Sequence, residues 1–237
     1  MLTIKNFTKK YGDVVAVDNL SLEIYDGEIY GFIGHNGAGK TTTLKAVVGI
    51  HGFDEGKIEI NGISIKDNPI EAKKLLAYIP DNPDLYDFMT GIQYLEFISN
   101  IFKVSTDDRK QKIEKYAEML EIKDNLAQDI SSYSHGMKQK LAIIGALVHN
   151  PKLIIMDEPF VGLDPKASFQ LKQVMKEMCE KGTSIFFSTH VLDTAEKLCD
   201  KVAIIKNGKL IKSGTMEEVK GDESLEEAFL ELEKDNA

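Results

Sequence analysis

The sequence contains little cysteine and no long apolar run. Cys179 and Cys199 are the only cysteines among 237 residues, which is too few for a disulfide framework or a zinc site, and two isolated thiols fit a reducing compartment. The longest uninterrupted apolar stretch, residues 141–148, is far shorter than the roughly 18 residues that a membrane-spanning helix needs. Residues 1–10 also lack the apolar segment of a secretory signal. We therefore expect a cytoplasmic protein, for which any membrane role must come through a partner.

An excess of basic residues is missing as well. Lysine and arginine number 29 against 38 aspartate and glutamate residues, so the net charge is −9. This sign is opposite to that of proteins that grip nucleic acid through bulk charge, and we expect no nucleic-acid partner. With 43% hydrophobic residues and no internal repeat, the chain suits one domain of about residues 1–220. The acidic residues 221–237 are predicted to form a short helix or tail.

Two kinds of hydrophobic pattern predict two kinds of sheet. In the first 62 residues, apolar residues recur at period two, as in Leu2 and Ile4 and in Leu20, Leu22 and Ile24, which is typical of a half-exposed antiparallel layer. Short apolar runs without alternation predict strands buried on both faces, as in a parallel sheet covered by helices. These runs occupy residues 29–33, 77–79, 153–156, 185–187 and 202–205. Helices are predicted between them at residues 40–48, 170–179 and 192–198.

Residues 90–150 carry no strand pattern and predict a helical insertion. Thr90 and Gln93 form a capping box in front of one helix, and Thr106 is predicted to cap a second. Near the C-terminus, Asn207-Gly208 predicts a tight hairpin. Two further capping boxes predict short helices after it: Thr215 with Glu218, and Ser224 with Glu227. Within the single domain we expect an α/β core in residues 1–85 and 151–220 and a helical subdomain in residues 86–150.

Residues 34–41, Gly-His-Asn-Gly-Ala-Gly-Lys-Thr, satisfy the phosphate-binding pattern G-x-x-x-x-G-K-[ST] between a predicted strand and a predicted helix. Backbone N–H groups of such a loop point at a polyphosphate, and the helix N-terminus adds partial positive charge. Lys40 is expected to reach the terminal phosphates, and the Thr41 hydroxyl is offered to Mg²⁺. A glycine-rich turn without this function would match the four fixed positions of the pattern by chance in about one chain per hundred of this length. The predicted nucleotide contacts are Gly34, Asn36, Gly37, Ala38, Gly39, Lys40, Thr41 and Thr42.

Two adjacent carboxylates end the apolar run 153–156, and a histidine follows the run 185–187. Ligands of open α/β sheets gather at the carboxyl ends of the strands, so Asp157, Glu158 and His190 are predicted to meet the nucleotide. Asp157 is assigned to Mg²⁺ and its waters, Glu158 to the hydrolytic water, and His190 to the γ-phosphate. Taken alone, a solvated acid pair and a surface histidine are commoner, and the neighbouring phosphate-binding pattern reverses that preference.

Residues 133–139, Tyr-Ser-His-Gly-Met-Lys-Gln, resemble the LSGGQ signature of ABC-type ATPases. The phosphate-binding pattern and three later segments stand in the order of that family: Asp157-Glu158-Pro159, Gly162-Leu163-Asp164-Pro165 and His190. Over residues 1–220 the chain resembles a complete ABC ATPase subunit, similar to export-type subunits with a separate permease. The resemblance implies an α/β fold: a P-loop NTPase core with a mostly parallel sheet, an N-terminal antiparallel β subdomain and an inserted α-helical subdomain.

For function, the resemblance implies a subunit that hydrolyses ATP with Mg²⁺, pairs head-to-tail with a second, identical or related ATPase subunit, and powers translocation by a transmembrane permease. By the resemblance, the catalytic residues are Glu158, His190 and Lys40. Ser134 and Gly136 would form a second anion site at the capped start of a helix. The resemblance also assigns three other roles. Tyr11 would stack on adenine, Asp164 would communicate across the dimer, and Thr41, Asp81 and Asp157 would bind the metal ion.

Some residues depart from the family pattern, and other function classes stay open. Asp81 stands where the family usually has glutamine, His35 replaces a common proline, and His135 replaces a signature glycine. A soluble ABC ATPase of DNA repair, chromosomes or ribosomes is the main alternative, although the chain lacks the long insertion or the second ATPase unit of those proteins. A binding module without hydrolysis conflicts with the full set of catalytic residues. Residues 82–90 mix apolar and turn residues and are predicted to form a groove for a permease helix.

Overall fold

A computed structural model describes residues 1–235 and arranges them as two sheets with helices between and around them. The strands are β1 (Leu2–Tyr11), β2 (Val14–Ile24), β3 (Ile29–Ile33), β4 (Glu55–Ile60), β5 (Ile63–Ser64), β6 (Leu76–Ile79), β7 (Leu153–Asp157), β8 (Ser184–Thr189), β9 (Lys201–Lys206) and β10 (Lys209–Thr215). The helices are α1 (Lys40–Val47), α2 (Pro69–Lys74), α3 (Gly91–Ile101), α4 (Thr106–Met119), α5 (His135–Leu147), α6 (Pro165–Glu180), α7 (Leu192–Leu198), α8 (Met216–Lys220) and α9 (Leu225–Asp235).

The smaller sheet is antiparallel, with the strand order β2-β1-β4-β5. Leu2 lies opposite Ile24 and Ile4 opposite Leu22, and all four side chains are buried on one face while their neighbours are more exposed. This alternation is the period-two pattern of the sequence, because successive side chains of a strand point to opposite faces. The predicted antiparallel layer is confirmed.

The larger sheet has the order β10-β9-β3-β8-β7-β6, and its strands from β9 to β6 run parallel. β10 is antiparallel and returns from β9 through Asn207 and Gly208, which have φ of 49° and 78°. Positive φ at both positions is the requirement of a two-residue hairpin turn, so the predicted hairpin is confirmed. The carboxyl ends of the parallel strands meet along one edge, where the candidate site lies.

Hydrophobic side chains pack on both faces of the larger sheet. From β3, Tyr30 and Phe32 join a core shared with α1 and the antiparallel sheet, whereas Ile29 and Ile33 join a core shared with helices α3 to α7. Because alternate residues serve opposite cores, every position of such a strand must be apolar. This explains the uninterrupted apolar runs that predicted the sheet.

Helices α3, α4 and α5 form the helical insertion. Thr90 and Gln93 make the predicted capping box of α3. The prediction that Thr106 caps α4 is wrong, because Ser105 is the N-cap and its hydroxyl accepts the Asp108 N–H at 3.2 Å. Thr106 is instead the first helical residue. Likewise, α6 begins at Pro165 and not at residue 170, because its N-cap lies in the loop after β7.

The C-terminal segment folds back onto the core as the two short helices α8 and α9. The capping box of Thr215 and Glu218 is present, and Ser224 and Glu227 exchange equivalent hydrogen bonds before α9. Residues 236 and 237 of the predicted tail lie outside the described residues. Within residues 1–235, no helix is both long enough and apolar enough to span a membrane. The division of the domain at residues 85, 150 and 220 stays a prediction.

Candidate functional site

The loop between β3 and α1, residues 34–39, is the cradle loop. Gly37 and Gly39 have φ of 82° and 109°, which residues with a Cβ rarely adopt. A Cβ on Gly39 would also lie 2.8 Å from the carbonyl oxygen of Ala16. The Ala38 N–H donates to the His35 carbonyl at 3.1 Å and closes the turn. Glycine at position 39 thus permits the tight passage from loop into helix.

Lys40 begins α1, and its ammonium group lies over the cradle loop. The side chain is only 6% exposed, and Nζ donates to the carbonyl oxygens of Gly34 at 2.6 Å and His35 at 3.2 Å. It also lies 3.6 Å from Oε1 of Glu158. A buried ammonium group needs such compensation, because desolvation of an unpaired charge is costly. The arrangement holds a fixed cation between the loop and the end of β7.

Asp157 is the last residue of β7 and is almost fully buried. Its Oδ1 accepts a 2.5 Å hydrogen bond from the hydroxyl of Ser188, which lies opposite it on β8. The same Ser188 oxygen accepts the Glu158 N–H at 3.0 Å. Ser188 is not among the predicted site residues, because both of its partners lie about 30 residues away in the sequence. Ser188 therefore holds the carboxylate of Asp157 and the backbone of Glu158.

Glu158 follows Asp157 with a left-handed backbone, at φ 48°. This turn separates the directions of the two carboxylates. Glu158 Oε2 lies 3.0 Å from Nδ1 of His190, which brings the two predicted catalytic residues together. Oε1 is buried and accepts no hydrogen bond from any residue in the described part of the chain. A buried carboxylate oxygen without a donor is suited to receive one from a bound water.

A cavity of about 370 Å³ opens between the cradle loop and the ends of β6 and β7. It is lined by Ala16, His35, Asn36, Gly37, Gly39, Lys40, Thr41, Thr42, Asp81, Asp157 and Glu158. His190 adjoins it through Glu158, and Gly34 and Ala38 are buried within the loop. Among residues 1–235, Tyr11, Ser134 and Gly136 are not part of this lining. The structure therefore brings together the residues predicted from the cradle loop and from the strand ends. The other three predicted nucleotide contacts lie elsewhere.

Asp81, which follows β6, adds a further carboxylate to the cavity wall. Burial, followed by the negative charges of Asp157 and Glu158, raises the pKa of its carboxyl. The Thr41 hydroxyl and the carboxylates of Asp81 and Asp157 are hard oxygen donors of the type that Mg²⁺ prefers. Within the described residues, no three acidic, histidine or cysteine side chains are grouped as a metal site.

Tyr11 lies at the exposed end of β1. Its ring makes an edge contact with His51, with the ring centroids 6.3 Å apart, and Nζ of Lys9 lies 4.9 Å from the ring centroid. The side chain is 46% exposed. An exposed aromatic face suits stacking on a base, and that role of Tyr11 stays a prediction.

Ser134 caps α5, as predicted. Its hydroxyl accepts the Met137 N–H at 3.3 Å, and both Ser134 and His135 are exposed. α5 begins at His135, directly after this cap. The segment is anchored by Tyr133, whose buried hydroxyl donates to the Asn125 carbonyl at 2.7 Å. The helix end thus presents its positive pole to the surface.

The loop that follows β7, residues 158–164, touches this helix end. A Cβ on Gly136 would lie 2.8 Å from the Gly162 carbonyl oxygen, and a Cβ on Gly162 would collide with the His135 ring. Asp164 caps α6 and pairs with Lys140 of α5 at 3.2 Å. Two glycines therefore allow the loop and the start of α5 to pack against each other.

A family model described as ABC transporter matches residues 17–161, more than half of the chain. The chain belongs to the ABC transporter family. The ABC-type transporter ATP-binding protein EcsA of Bacillus subtilis is 34% identical to it over 242 aligned positions, which cover 100% of this chain and 98% of EcsA. Other relatives are longer. The chain spans 73% of YhcH from B. subtilis, with 36% identity, and 63% and 61% of ABC transporter ATP-binding proteins from Nostoc and Synechocystis.

Solved structures of ABC transporter ATP-binding proteins have the same fold. An ATP-binding subunit of an ABC transporter superimposes with a TM-score of 0.95 at 33% identity, covering 98% of this chain and 99% of that one. The ATP-binding cassette MJ0796, a dimer in a post-hydrolysis state with ADP and Pi, has a TM-score of 0.82 at 26% identity, covering 91% of this chain and 99% of that one. The predicted ABC ATPase fold is confirmed, and the chain is an ABC-type ATPase.

Ser188 offers a test of how this ABC ATPase supports its acid pair. We expect Ser188→Ala to lower the free energy of unfolding by about 1–3 kcal/mol, because it leaves the Glu158 N–H without a partner, and to weaken the binding of Mg·ADP. Ser184→Ala is the matched control: Ser184 is equally buried at the other end of β8, and its hydroxyl also makes two hydrogen bonds, both of them to backbone groups.

Urea unfolding and calorimetric titration with Mg·ADP check this prediction. Both variants are expected to lose stability, and only Ser188→Ala is expected to lose affinity for the nucleotide. Equal nucleotide affinity in the two variants would contradict a role of Ser188 in orienting the acids.

Proposed function

We propose that this ABC ATPase binds Mg·ATP in the cavity at the cradle loop, pairs head-to-tail with a second ATPase subunit and uses hydrolysis to drive a separate transmembrane permease. The observation that carries the proposal is that Lys40, Asp157 and Glu158 line one cavity and His190 contacts Glu158, while the capped start of α5 stands outside the cavity. The protein then acts at the inner face of the membrane, where the permease holds it.

The chemistry proposed for the cavity is hydrolysis of ATP: the oxygen of a water bonds to the γ-phosphorus, the bond from that phosphorus to the β–γ bridging oxygen breaks, and ADP, inorganic phosphate and a proton are released. Lys40 stabilises negative charge on the phosphates, and Glu158 Oε1 accepts a hydrogen bond from the attacking water and orients it. His190 holds Glu158 through Oε2 and contacts the γ-phosphate. Thr41, Asp157 and Asp81 are the proposed Mg²⁺ ligands, and the ion neutralises phosphate charge when it is bound. The oxygen donors of these three side chains support this assignment.

The head-to-tail pair is proposed because the second anion site faces outward. Ser134 caps α5 with its hydroxyl exposed, and a helix N-terminus attracts an anion through its unsatisfied N–H groups. In a symmetric pair, the same surface can close on the nucleotide of the other subunit, so two ATP molecules lie between two chains. The dimeric state of MJ0796 supports this arrangement.

Mixing two inactive variants tests the pair. Lys40→Ala removes the phosphate cation, whereas Ser134→Asp retains a good helix cap and places a negative charge where phosphate would bind. A mixed dimer contains one composite site with neither change. We expect each variant alone to be inactive and a 1:1 mixture to recover up to about a quarter of the wild-type ATPase rate, because random pairing makes half of the dimers mixed.

The rate of phosphate release measures this recovery. A mixture of Lys40→Ala with the Lys40→Ala, Ser134→Asp double variant is the control, because it contains no intact composite site. Absence of recovery from two folded single variants would contradict head-to-tail pairing of two copies.

The permease is proposed to dock beside residues 82–90. A groove of about 390 Å³ lies there, lined in part by Pro83, Leu85 and Tyr94. Next to it, the ring of Tyr86 contacts those of Phe88 and Phe97, and all three side chains are exposed. Contiguous exposed aromatic residues are typical of a protein interface, and a short apolar helix suits a groove of this kind.

We expect Tyr86→Asp to abolish co-purification of the integral membrane partner and to leave ATP binding unchanged, because a charge in an apolar interface loses its hydration. Phe169→Asp is the matched control, since Phe169 is an exposed aromatic residue on α6. Identification of the proteins extracted with the tagged chain from membranes provides the measurement. If Tyr86→Asp retained the partner, docking would have to use another surface.

A further inference from the structure

The C-terminal helix α9 reaches the cradle loop through a pair of rings. The centroids of His35 and Phe229 lie 5.3 Å apart, with an angle of 70° between the ring planes. This is the edge-to-face geometry that aromatic pairs prefer. The two residues are far apart in the sequence, and His35 lines the nucleotide cavity whereas Phe229 is packed in the core behind it.

The backbone of His35 carries two of the hydrogen bonds that shape the cradle loop. Its carbonyl oxygen accepts the N–H of Ala38, which closes the turn, and also the ammonium group of Lys40 at 3.2 Å. A displacement of His35 therefore shifts both the turn and the phosphate-binding lysine. Glycine-rich loops have many accessible conformations, so a lateral contact that selects one of them lowers the entropic cost of binding.

Phe229 is held firmly on its own side of the contact. Leu225, Ala228 and Phe229 are at most 8% exposed and pack α9 onto the core. The Leu225 N–H donates to Oε2 of Glu196 on α7 at 3.0 Å, and Oε1 of the same carboxylate pairs with Lys220 at 2.8 Å. Helix α9 is therefore anchored at its first turn, one turn before the ring that meets the loop.

We propose that Phe229 is a positioning residue of the nucleotide site: through the His35 ring it holds the cradle loop in the conformation that receives the phosphates. Phe229 does not line the cavity and acts only through His35. The inference rests on the proposed phosphate-binding role of the loop. Through this contact, the C-terminal helix would raise the affinity for nucleotide, a role that no sequence motif indicates.

The test compares Phe229→Leu with Leu230→Ala by calorimetric titration with Mg·ADP, whose phosphates occupy the cradle without hydrolysis. Leucine keeps most of the buried apolar volume and removes the ring edge. We expect Phe229→Leu to raise the Kd for Mg·ADP roughly three- to ten-fold, because an aromatic pair contributes free energy of that size. Leu230 is half exposed on the same helix, so Leu230→Ala is expected to leave the Kd unchanged.

A double-mutant cycle separates positioning from general destabilisation. In the His35→Ala background, Phe229→Leu is expected to change the Kd by less than about two-fold, since the contact is already lost. In steady-state assays, KM for ATP should rise while kcat stays near the wild-type value. An unchanged Kd in Phe229→Leu, or an equal increase with and without His35, would overturn the proposal.

The Lys40→Ala variant distinguishes failure of this inference from failure of the proposed function. Loss of Mg·ADP binding in Lys40→Ala, together with normal binding in Phe229→Leu, overturns only the role of Phe229. Normal binding in Lys40→Ala overturns the phosphate-binding role of the loop and the inference with it.

Discussion

Replacing Glu158 by glutamine is expected to leave ATP binding intact and to lower the rate of hydrolysis roughly 10²–10⁴-fold, which is the usual contribution of a positioned acid or base. Glutamine preserves the size of the side chain and removes the negative charge that polarises the attacking water. It also removes a charge that repels the γ-phosphate, so the bound state is favoured. ATP should then remain between two subunits, and the variant should accumulate as a dimer.

Light scattering with Mg·ATP and a phosphate-release assay measure the two halves of this prediction. Glu177→Gln is the matched control, because Glu177 is a half-exposed glutamate on α6 whose only described ion pair is with Lys115. The control should hydrolyse ATP at the wild-type rate and show no excess of dimer. Unchanged steady-state hydrolysis in Glu158→Gln would remove Glu158 from its proposed role.

Replacing Lys40 by alanine is expected to weaken nucleotide binding roughly 10²-fold, since a charge-assisted hydrogen bond to phosphate and the fixed positive charge are both lost. The ammonium group is already buried and held by two carbonyl oxygens, so little conformational entropy is lost when phosphate binds. The substitution also leaves Glu158 without the nearby positive charge at 3.6 Å. Repulsion between carboxylates and phosphates then opposes binding further.

Titration with Mg·ADP measures the affinity, and thermal unfolding shows whether the variant is folded. Lys45→Ala serves as the control, because Lys45 lies in the last turn of the same helix and does not line the cavity. An affinity in Lys40→Ala within two-fold of that of Lys45→Ala would contradict the proposed phosphate contact.

The strands could be predicted from the sequence because each sheet imposes a simple period. A strand such as β1 alternates since only one of its faces is buried, whereas β3 and residues 153–156 of β7 are apolar since both faces are buried. Helix starts are less well determined when neighbouring residues can both cap. Ser105 and Thr106 are such a pair, and only the backbone conformation of Ser105 decides between them.

The candidate site could be predicted only where its residues are adjacent in the sequence or follow a strand. The pattern of residues 34–41 predicts the conformation of the loop directly. Asp157 and His190 were predicted to share an edge because both follow strands of the parallel sheet. The left-handed backbone of Glu158, the two hydrogen bonds of Ser188 and the contact of Phe229 with His35 arise from tertiary packing. No local pattern encodes them.

The contact between His135 and Gly162 has a consequence for a protein with two nucleotides. In the proposed pair, the loop after Glu158 lies beside the nucleotide bound by its own subunit, while the start of α5 contacts the nucleotide bound by the partner. Because the two segments pack directly against each other through Gly136, Gly162 and the His135 ring, neither can shift alone. Hydrolysis of one ATP would therefore alter the site that binds the other, and the dependence of the rate on ATP concentration should be sigmoidal.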